Sequence, residues 1–199
     1  MNIVFDLGGV VFNWQPDLVV KNAFDNPKMQ ELVRWEVIDH PDWLELDRGT
    51  LDLEVAITNA AKRTGISEST LSEFFEYVVP TLTPIQETID LIHELAALAK
   101  HDLFVLSNMH KTSIHYLESN YDFWNVFRAR TISCRIGMVK PEPEIFRHLL
   151  ESNELVPQDT VFIDDMIANT QAAEALGIRT IHFRDTSKCR NELADMGCL

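Results

Sequence analysis

The sequence has few cysteines, few basic residues and no long apolar run. Its three cysteines, Cys134, Cys189 and Cys198, are odd in number and lack metal-ligand spacing, so they suit free thiols in a reducing cytoplasm. The longest apolar stretches are far too short to span a bilayer. A strand-like run begins at the second residue without a basic leader, which predicts that there is no signal peptide.

Positive charge is scarce, and this excludes several classes of partner. The chain carries 17 Lys and Arg against 31 Asp and Glu, a formal net charge of −14. Such a charge disfavours a nucleic acid or an anionic membrane as partner. An anionic substrate would need a local positive site or a metal ion. At 199 residues, 46% of them apolar, the chain can form one domain or a domain with an insert.

Short strand-like and helix-like runs alternate over most of the chain. The predicted strands are NIVF, DLFVLSN, RARTISC, TVFIDD and IRTIHF. Helical patterns separate the later ones, among them TPIQETIDLIHELAALAK, with Thr83 as the expected cap and Pro84 at its first position. This alternation predicts an α/β fold with a doubly wound parallel sheet.

No strand-like run interrupts residues 15–81, where apolar residues recur at helical spacing. We expect this segment to be a small helical cap inserted into an α/β core made of residues 1–14 and 82–199. Within it lies the stretch HPDWLELDRG, rich in aromatic and charged residues. Two interpretations of that stretch stay open, a solvated loop between helices and a contribution to a site.

Polar side chains collect where the predicted strands end. Each alone is common at a turn or a helix cap, but ligands bind beyond the carboxyl ends of strands in such sheets, and there the set converges. Its members are Asp6, Ser107, Asn108, Asp164 and Asp165, joined by Lys140 from the loop GMVKPEP.

The residue types in this set predict metal-assisted phosphoryl chemistry. The acids cannot all ionise side by side unless a cation separates them, and oxygen ligands of this kind suit Mg²⁺. An ammonium and a hydroxyl beside a carboxylate–magnesium pair form a cradle for a phosphoryl group. Asp6 would then be the nucleophile, forming an aspartyl phosphate that water hydrolyses.

Four motifs, DLGGVV, VLSN, GMVKPEPEIF and VFIDDMIANTQAAEALG, resemble those of the haloacid dehalogenase superfamily. The resemblance covers the predicted core, and the helical insert resembles the C1-type cap of that superfamily. It implies that Asp6 is the nucleophile and a metal ligand, and that Ser107 and Asn108 bind the phosphoryl group. It also implies that Lys140 stabilises both the nucleophile and the phosphate. It also implies that Asp165 ligates Mg²⁺ directly and Asp164 lies nearby, bound through water.

Gly8 departs from the D-x-D motif of that superfamily. The second Asp normally offers Mg²⁺ its backbone carbonyl and protonates the leaving group with its side chain, so glycine keeps the metal ligand and loses the acid. The loss removes a contribution commonly worth ~10²–10⁴-fold in rate. Glycine here resembles a branch that includes bacterial glucose-1-phosphate phosphatases. A residue of the cap could replace the proton donor, and the candidates are His40, Asp42, Glu45 and Asp47.

The prediction is therefore a cytoplasmic, Mg²⁺-dependent phosphatase of small phosphorylated metabolites, with sugar phosphates as the expected substrates. Trp43 and Arg48 are candidates for stacking on the sugar and hydrogen-bonding to it, although Trp43 suits packing equally well. A haloacid dehalogenase would share Asp6 but has no need of the acid pair, and a phosphomutase normally needs the acid that Gly8 lacks. A catalytically weak relative that binds a phosphorylated ligand or partner is the alternative from another class.

Overall fold

The computed structural model describes all residues, 1–199, and contains one five-stranded sheet. The strands are β1 (Asn2–Phe5), β2 (Asp102–Ser107), β3 (Ala129–Ile132), β4 (Thr160–Asp164) and β5 (Arg179–His182). Every neighbouring pair is parallel, and the order across the sheet is β3-β2-β1-β4-β5. The predicted doubly wound α/β fold is confirmed.

Eleven helices accompany the sheet. Those before residue 82 are α1 (Pro16–Ala23), α2 (Pro27–Val33), α3 (Pro41–Arg48), α4 (Leu53–Thr64) and α5 (Glu68–Val78), with one turn of π-helix (Arg34–Ile38) after α2 and a 3-10 turn (Val79–Thr81) after α5. Those after it are α6 (Gln86–Leu98), α7 (Lys111–Asn120), α8 (Ser133–Ile136), α9 (Pro143–Ser152), α10 (Ile167–Glu174) and α11 (Thr186–Asp195), with 3-10 turns at Phe123–Val126 and Pro157–Asp159.

The centre of the sheet is buried on both faces because β1, β2 and β4 consist mostly of apolar residues. On β1, Ile3 and Phe5 pack into one apolar cluster, together with residues of α6, α7 and α11. Val4 packs into a second cluster on the opposite face, with residues of α9 and α10. This alternation is what a strand covered on both faces requires, and it leaves only the strand ends for polar groups.

Residues 16–81 form a helical bundle with an apolar cluster of their own, drawn from positions between Val19 and Val78. Gly65 ends α4 in the left-handed conformation, and the Ser67 hydroxyl accepts a hydrogen bond from the Thr70 N–H at the start of α5, as residues of these types favour. The stretch HPDWLELDRG is mostly the helix α3, capped by the His40 ring. The loop interpretation of this stretch was therefore wrong.

One predicted helix start was also wrong. Helix α6 begins at Gln86, after Ile85 in extended backbone, so Thr83 and Pro84 lie before the helix. Pro84 pairs with Phe12, and the Thr83 hydroxyl accepts a hydrogen bond from the Asn13 amide at 3.0 Å. The two chain segments that connect the helical bundle to the sheet thus run side by side. This pairing keeps Thr83 and Pro84 out of the helix, although their types favour a helix start.

None of the helices combines the length and apolar character that crossing a membrane would require. The three cysteines are free and buried. The cytoplasmic location stays a prediction.

Candidate active site

Asp6 follows β1, the central strand, and points into a buried polar cluster at the carboxyl edge of the sheet. It is 6% exposed. Its Oδ1 accepts hydrogen bonds from the Leu7 N–H at 2.7 Å and from Lys140 Nζ at 2.9 Å. Both of these contacts fall on Oδ1, which leaves Oδ2 as the oxygen that can react.

Lys140 is the centre of the cluster. Its buried ammonium contacts Asp6, donates to Asp164 Oδ2 at 2.6 Å and donates to the Leu106 carbonyl at 3.1 Å. The Asn108 amide holds the Lys140 backbone through two hydrogen bonds of 2.8 and 2.9 Å. Asn108 therefore positions Lys140, and both polar groups of its side chain are used in doing so.

The two adjacent acids after β4 have different surroundings. Asp164 is fully buried and accepts hydrogen bonds from Lys140, from the Met166 N–H and from the Asn169 side-chain amide, at 2.6–3.1 Å. The Asn169 amide donates to both carboxylate oxygens. The Asp165 carboxylate has no such partners and lies against Gly9, where a Cβ would be 2.4 Å from Oδ2. Gly9 has φ +76°, so this position requires glycine for space and for conformation.

Carboxylate oxygens of Asp6, Asp164 and Asp165 all lie within 4.8 Å of one another. Burial raises the pKa of Asp6 to about 7, with Asp164 adding to the effect and Lys140 opposing it. Burial and the neighbouring Asp164 also raise the pKa of Asp165. Because one lysine cannot balance three acids, this set of oxygen donors fits a divalent cation.

Ser107 ends β2 beside this cluster. Its side chain is fully buried, and its Oγ has no hydrogen-bond partner in the protein. A buried hydroxyl without a partner costs free energy unless something completes it. The position next to Asp6 and Lys140 is the one expected of a ligand-binding hydroxyl.

A cavity of about 70 Å³ opens from Gly8 towards the helical bundle. Aromatic and aliphatic side chains form much of its wall, and a few polar groups interrupt them. The lining residues are Gly8, Trp14, Trp43, Asp47, Val78, Leu82, Asn108, Met109, His110 and Ser113. Where the D-x-D motif has its second acid, the nearest side chain is Trp14, whose Cβ is 3.7 Å from the position of a Cβ on Gly8.

The predicted substrate contacts of the bundle divide in two. Trp43 lines the cavity, but it also stacks on Trp14 and Phe75 with ring centroids 5.8 and 5.5 Å apart. Arg48 lies outside the lining, and its guanidinium binds Glu142 at 2.6 and 2.7 Å and Glu45 at 3.3 Å. A contact between Arg48 and substrate would require these ion pairs to open.

The four candidate proton donors differ in their partners and in whether they line the cavity. The His40 ring caps α3, Asp42 lies 3.3 Å from Arg63, and Glu45 binds Arg48 and Thr50. Only Asp47 faces the cavity.

Sequence reasoning missed three residues that shape this cavity or hold the bundle on the core. Trp14 and His110 line the cavity, and Ser133 joins α3 to the core, where its hydroxyl donates to the Asp47 carbonyl at 2.5 Å. His110 follows the VLSN motif by two residues, a proximity that could have identified it. Nothing in the sequence distinguishes Ser133, because its role depends on which segment of the bundle lies opposite.

Comparison with known proteins agrees with this geometry. The family model described as haloacid dehalogenase-like hydrolase matches residues 3–183. The sesquiterpene phosphatase astK of Aspergillus oryzae is 25% identical over 196 residues, which span 98% of this chain and 96% of that protein. The D-ribitol-5-phosphate phosphatase of Bacteroides thetaiotaomicron is 32% identical over 62 residues, 31% of this chain and 30% of that protein.

Among solved structures, a HAD family enzyme of Bacteroides thetaiotaomicron in complex with magnesium and inorganic phosphate has a TM-score of 0.72 and 24% identity, covering 94% of this chain and 98% of that one. L-2-haloacid dehalogenase of Xanthobacter autotrophicus has a TM-score of 0.65 and 19% identity, covering 100% and 84%. At these identities the two structures establish the fold and leave the choice of reaction to the site itself.

Proposed function

The chain belongs to the haloacid dehalogenase-like hydrolases, and on that premise we propose that it is a phosphatase that hydrolyses small phosphate monoesters through an aspartyl phosphate on Asp6. The observation that carries the proposal is the excess of acid at the site. Three carboxylates have oxygens within 4.8 Å of one another, and the one ammonium among them, that of Lys140, contacts only Asp6 and Asp164. A dehalogenase has no use for the cation that such a cluster fits, whereas phosphoryl transfer has.

The residues that would hold Mg²⁺ are Asp6, Asp165 and the backbone carbonyl of Gly8. Asp164 fits an outer role, because its oxygens already accept hydrogen bonds from Lys140 and Asn169. When bound, the ion would offset the negative charge of the phosphoryl oxygens.

The chain's own residues supply the remaining chemistry. Asp6 Oδ2 attacks phosphorus while Lys140 holds Oδ1 at 2.9 Å and keeps the nucleophile oriented. The unpartnered Ser107 hydroxyl donates a hydrogen bond to a phosphoryl oxygen, which would satisfy the buried Oγ. Water then cleaves the acyl phosphate and restores Asp6.

The cavity wall bears on the substrate. Trp14, Trp43, Leu82 and Met109 favour a leaving group with an apolar face, and the full-length similarity to a sesquiterpene phosphatase supports this class. Sugar phosphates stay a prediction, since a sugar can also stack on an indole ring. A cavity of about 70 Å³ is well below the ~300–1,000 Å³ typical of ligand pockets. The helical bundle, residues 15–81, therefore acts as a cap that opens to admit substrate.

The test is release of phosphate from a panel of sugar, prenyl and p-nitrophenyl phosphates, with and without Mg²⁺, and with Asp6→Asn as the inactive control. We expect activity that requires Mg²⁺ and that favours the apolar esters. Full turnover in excess chelator, or halide release from haloacids, would instead identify a dehalogenase. Saturable phosphate binding by calorimetry without any turnover would identify a binding protein.

A further inference from the structure

Gly8 leaves the loop after β1 without an acid, yet an alkoxide leaving group needs a proton. We propose that Asp47, at the end of α3 in the cap, donates that proton to the leaving-group oxygen. The proposal depends on the phosphatase function proposed above and assigns to the cap a chemical step as well as a covering role.

The geometry places Asp47 in the same cavity as Gly8. Its backbone is tied to the core through Ser133, whose Oγ donates to the Asp47 carbonyl at 2.5 Å and accepts from the Met109 N–H at 2.8 Å. Met109 itself lines the cavity. The Ser133 hydroxyl thus links the backbone of Met109, in the cavity wall, to the backbone of Asp47.

Two neighbours hold the same segment in place. Gly49 ends α3 at φ +82°, and a Cβ there would lie 2.5 Å from the Cys134 carbonyl oxygen, so only glycine permits the close approach. Arg48 reaches across to Glu142 with two hydrogen bonds of 2.6 and 2.7 Å. When the cap is closed, the segment 47–49 is therefore clamped on the core and Asp47 has a defined position.

The other polar groups of the cavity are poor acids. Burial lowers the pKa of His110 to about 4, so its ring is neutral at pH 7, and Nε2 shares a hydrogen bond with Ser113 Oγ at 3.0 Å. The Asn108 amide is occupied by the Lys140 backbone. Asp47 remains as the one carboxyl group among the residues that line this cavity.

Burial raises the pKa of Asp47 to about 7, and the negative charge of Asp6 adds to this. The His110 N–H and the Lys140 ammonium act in the opposite direction, and Cys134 is the other titratable neighbour. A carboxyl group that keeps its proton near neutral pH can act as a general acid.

The step balances without a further reactant. Asp6 Oδ2 forms the bond to phosphorus as the bond to the ester oxygen breaks, and that oxygen takes the Asp47 proton and leaves as an alcohol. The Asp47 carboxylate then accepts a proton from the water that attacks the aspartyl phosphate. Inorganic phosphate leaves, and both carboxyl groups return to their starting states.

The test compares Asp47→Asn with wild type on a primary alkyl phosphate and on p-nitrophenyl phosphate, whose leaving group needs little protonation. We expect kcat/KM to fall by about 10²–10⁴-fold on the alkyl ester and by less than about tenfold on the aryl ester. The aryl ester should also give a burst of p-nitrophenol and a trapped phosphoenzyme, because the base of the second step is missing. Asp47→Glu should retain part of the alkyl activity.

Asp42→Asn is the matched control, since Asp42 lies on the same helix, is ion-paired to Arg63 within the helical bundle and stays outside the cavity. It should leave both esters unaffected. Equal losses on both esters in Asp47→Asn, with no phosphoenzyme, would show a merely structural residue and overturn the proposal. So would the selective loss appearing in His110→Ala instead. Wild-type protein inactive on every ester would refute the phosphatase function itself, which is a distinguishable result.

Discussion

The two halves of the site, the core cluster at the strand ends and the cap segment 47–49, are built by different means. In the core, Asp6, Lys140 and Asp164 are nearly or completely buried and follow strands whose register the sheet hydrogen bonds determine. The cap segment touches the core through a few groups, among them Ser133, Gly49 and the ion pair of Arg48 with Glu142.

This difference lets the core cluster stay rigid while the helical bundle can move to admit substrate. The proposed phosphoryl transfer requires a nucleophile and metal ligands held within fractions of an ångström, and strand ends of fixed register can hold side chains in this way. Entry of substrate requires a contact weak enough to break in each cycle, which a few polar contacts between bundle and core allow. If Asp47 supplies the proton, acid catalysis occurs only when the cap is closed, so closure excludes water and completes the site together.

The largest expected effect comes from removing the lysine at the centre of the core cluster. Lys140→Met leaves the Asp6 and Asp164 carboxylates buried without their counter-ion, so we expect a loss of about 3–5 kcal/mol in the free energy of unfolding and loss of turnover. Urea denaturation and phosphate release measure the two effects.

Lys188→Met is the control, because that exposed lysine is paired with Asp185 on the surface and should change stability by less than ~1 kcal/mol. A stable Lys140→Met protein would mean that the core cluster is no more tightly built than the cap segment, and the contrast between them would disappear.

The second effect concerns the metal and spares the fold. Asp165→Asn removes a carboxylate that has no protein donor, so we expect the Mg²⁺-dependent activity and the calorimetric binding of Mg²⁺ to be lost while the unfolding midpoint without metal is kept or raised. Asp159→Asn changes an acid in the turn before β4 and should leave binding intact. Unchanged Mg²⁺ affinity in Asp165→Asn would remove this residue from the proposed ligands.

The third effect is on the clamp of the cap. Arg48→Met breaks the pair with Glu142, whose partly exposed groups predict only about 0.2–1 kcal/mol of stability. We expect KM and kcat to change together, because closure becomes less favourable. A double-mutant cycle with Glu142→Gln should show coupling in kcat/KM, and Arg147→Met, in an exposed pair with Glu144, should show none. Additive effects would show that the ion pair does not hold the cap.

The sheet and the core cluster could be predicted from sequence because both follow from local pattern. Buried strands appear as short apolar runs, and the polar residue that ends each run must lie at the shared carboxyl edge. The start of α6 could not be predicted in this way, since Pro84 pairs with Phe12 across a long stretch of chain. Local capping preference gave way there to a distant contact.

The cap side of the site was less predictable for the same reason. The stretch HPDWLELDRG offered four possible donors, and only the direction in which α3 docks shows that Asp47 faces Gly8 while Glu45 turns to Arg48. Trp43 was open to two interpretations, and in the structure it both lines the cavity and packs in an aromatic stack. Which face of a short helix meets the core depends on tertiary packing, which a single sequence does not reveal.

The smallest expected effect is a gain, and it asks whether the core can take over the step assigned to the cap. Gly8 lies outside the left-handed region, and a Cβ there would meet Trp14 only at an ordinary 3.7 Å, so Gly8→Asp should fold normally. In the Asp47→Asn background we expect Gly8→Asp to raise the activity on alkyl phosphates about tenfold, because the new carboxyl group can then protonate the leaving group. Mg²⁺ affinity should change little, since the backbone carbonyl is present in both proteins. Gly8→Ala is the matched control and should restore nothing. A rescue of the aryl ester as large as that of the alkyl ester would show that the new carboxylate acts through the metal or the fold, and that proton donation is not what the cap supplies.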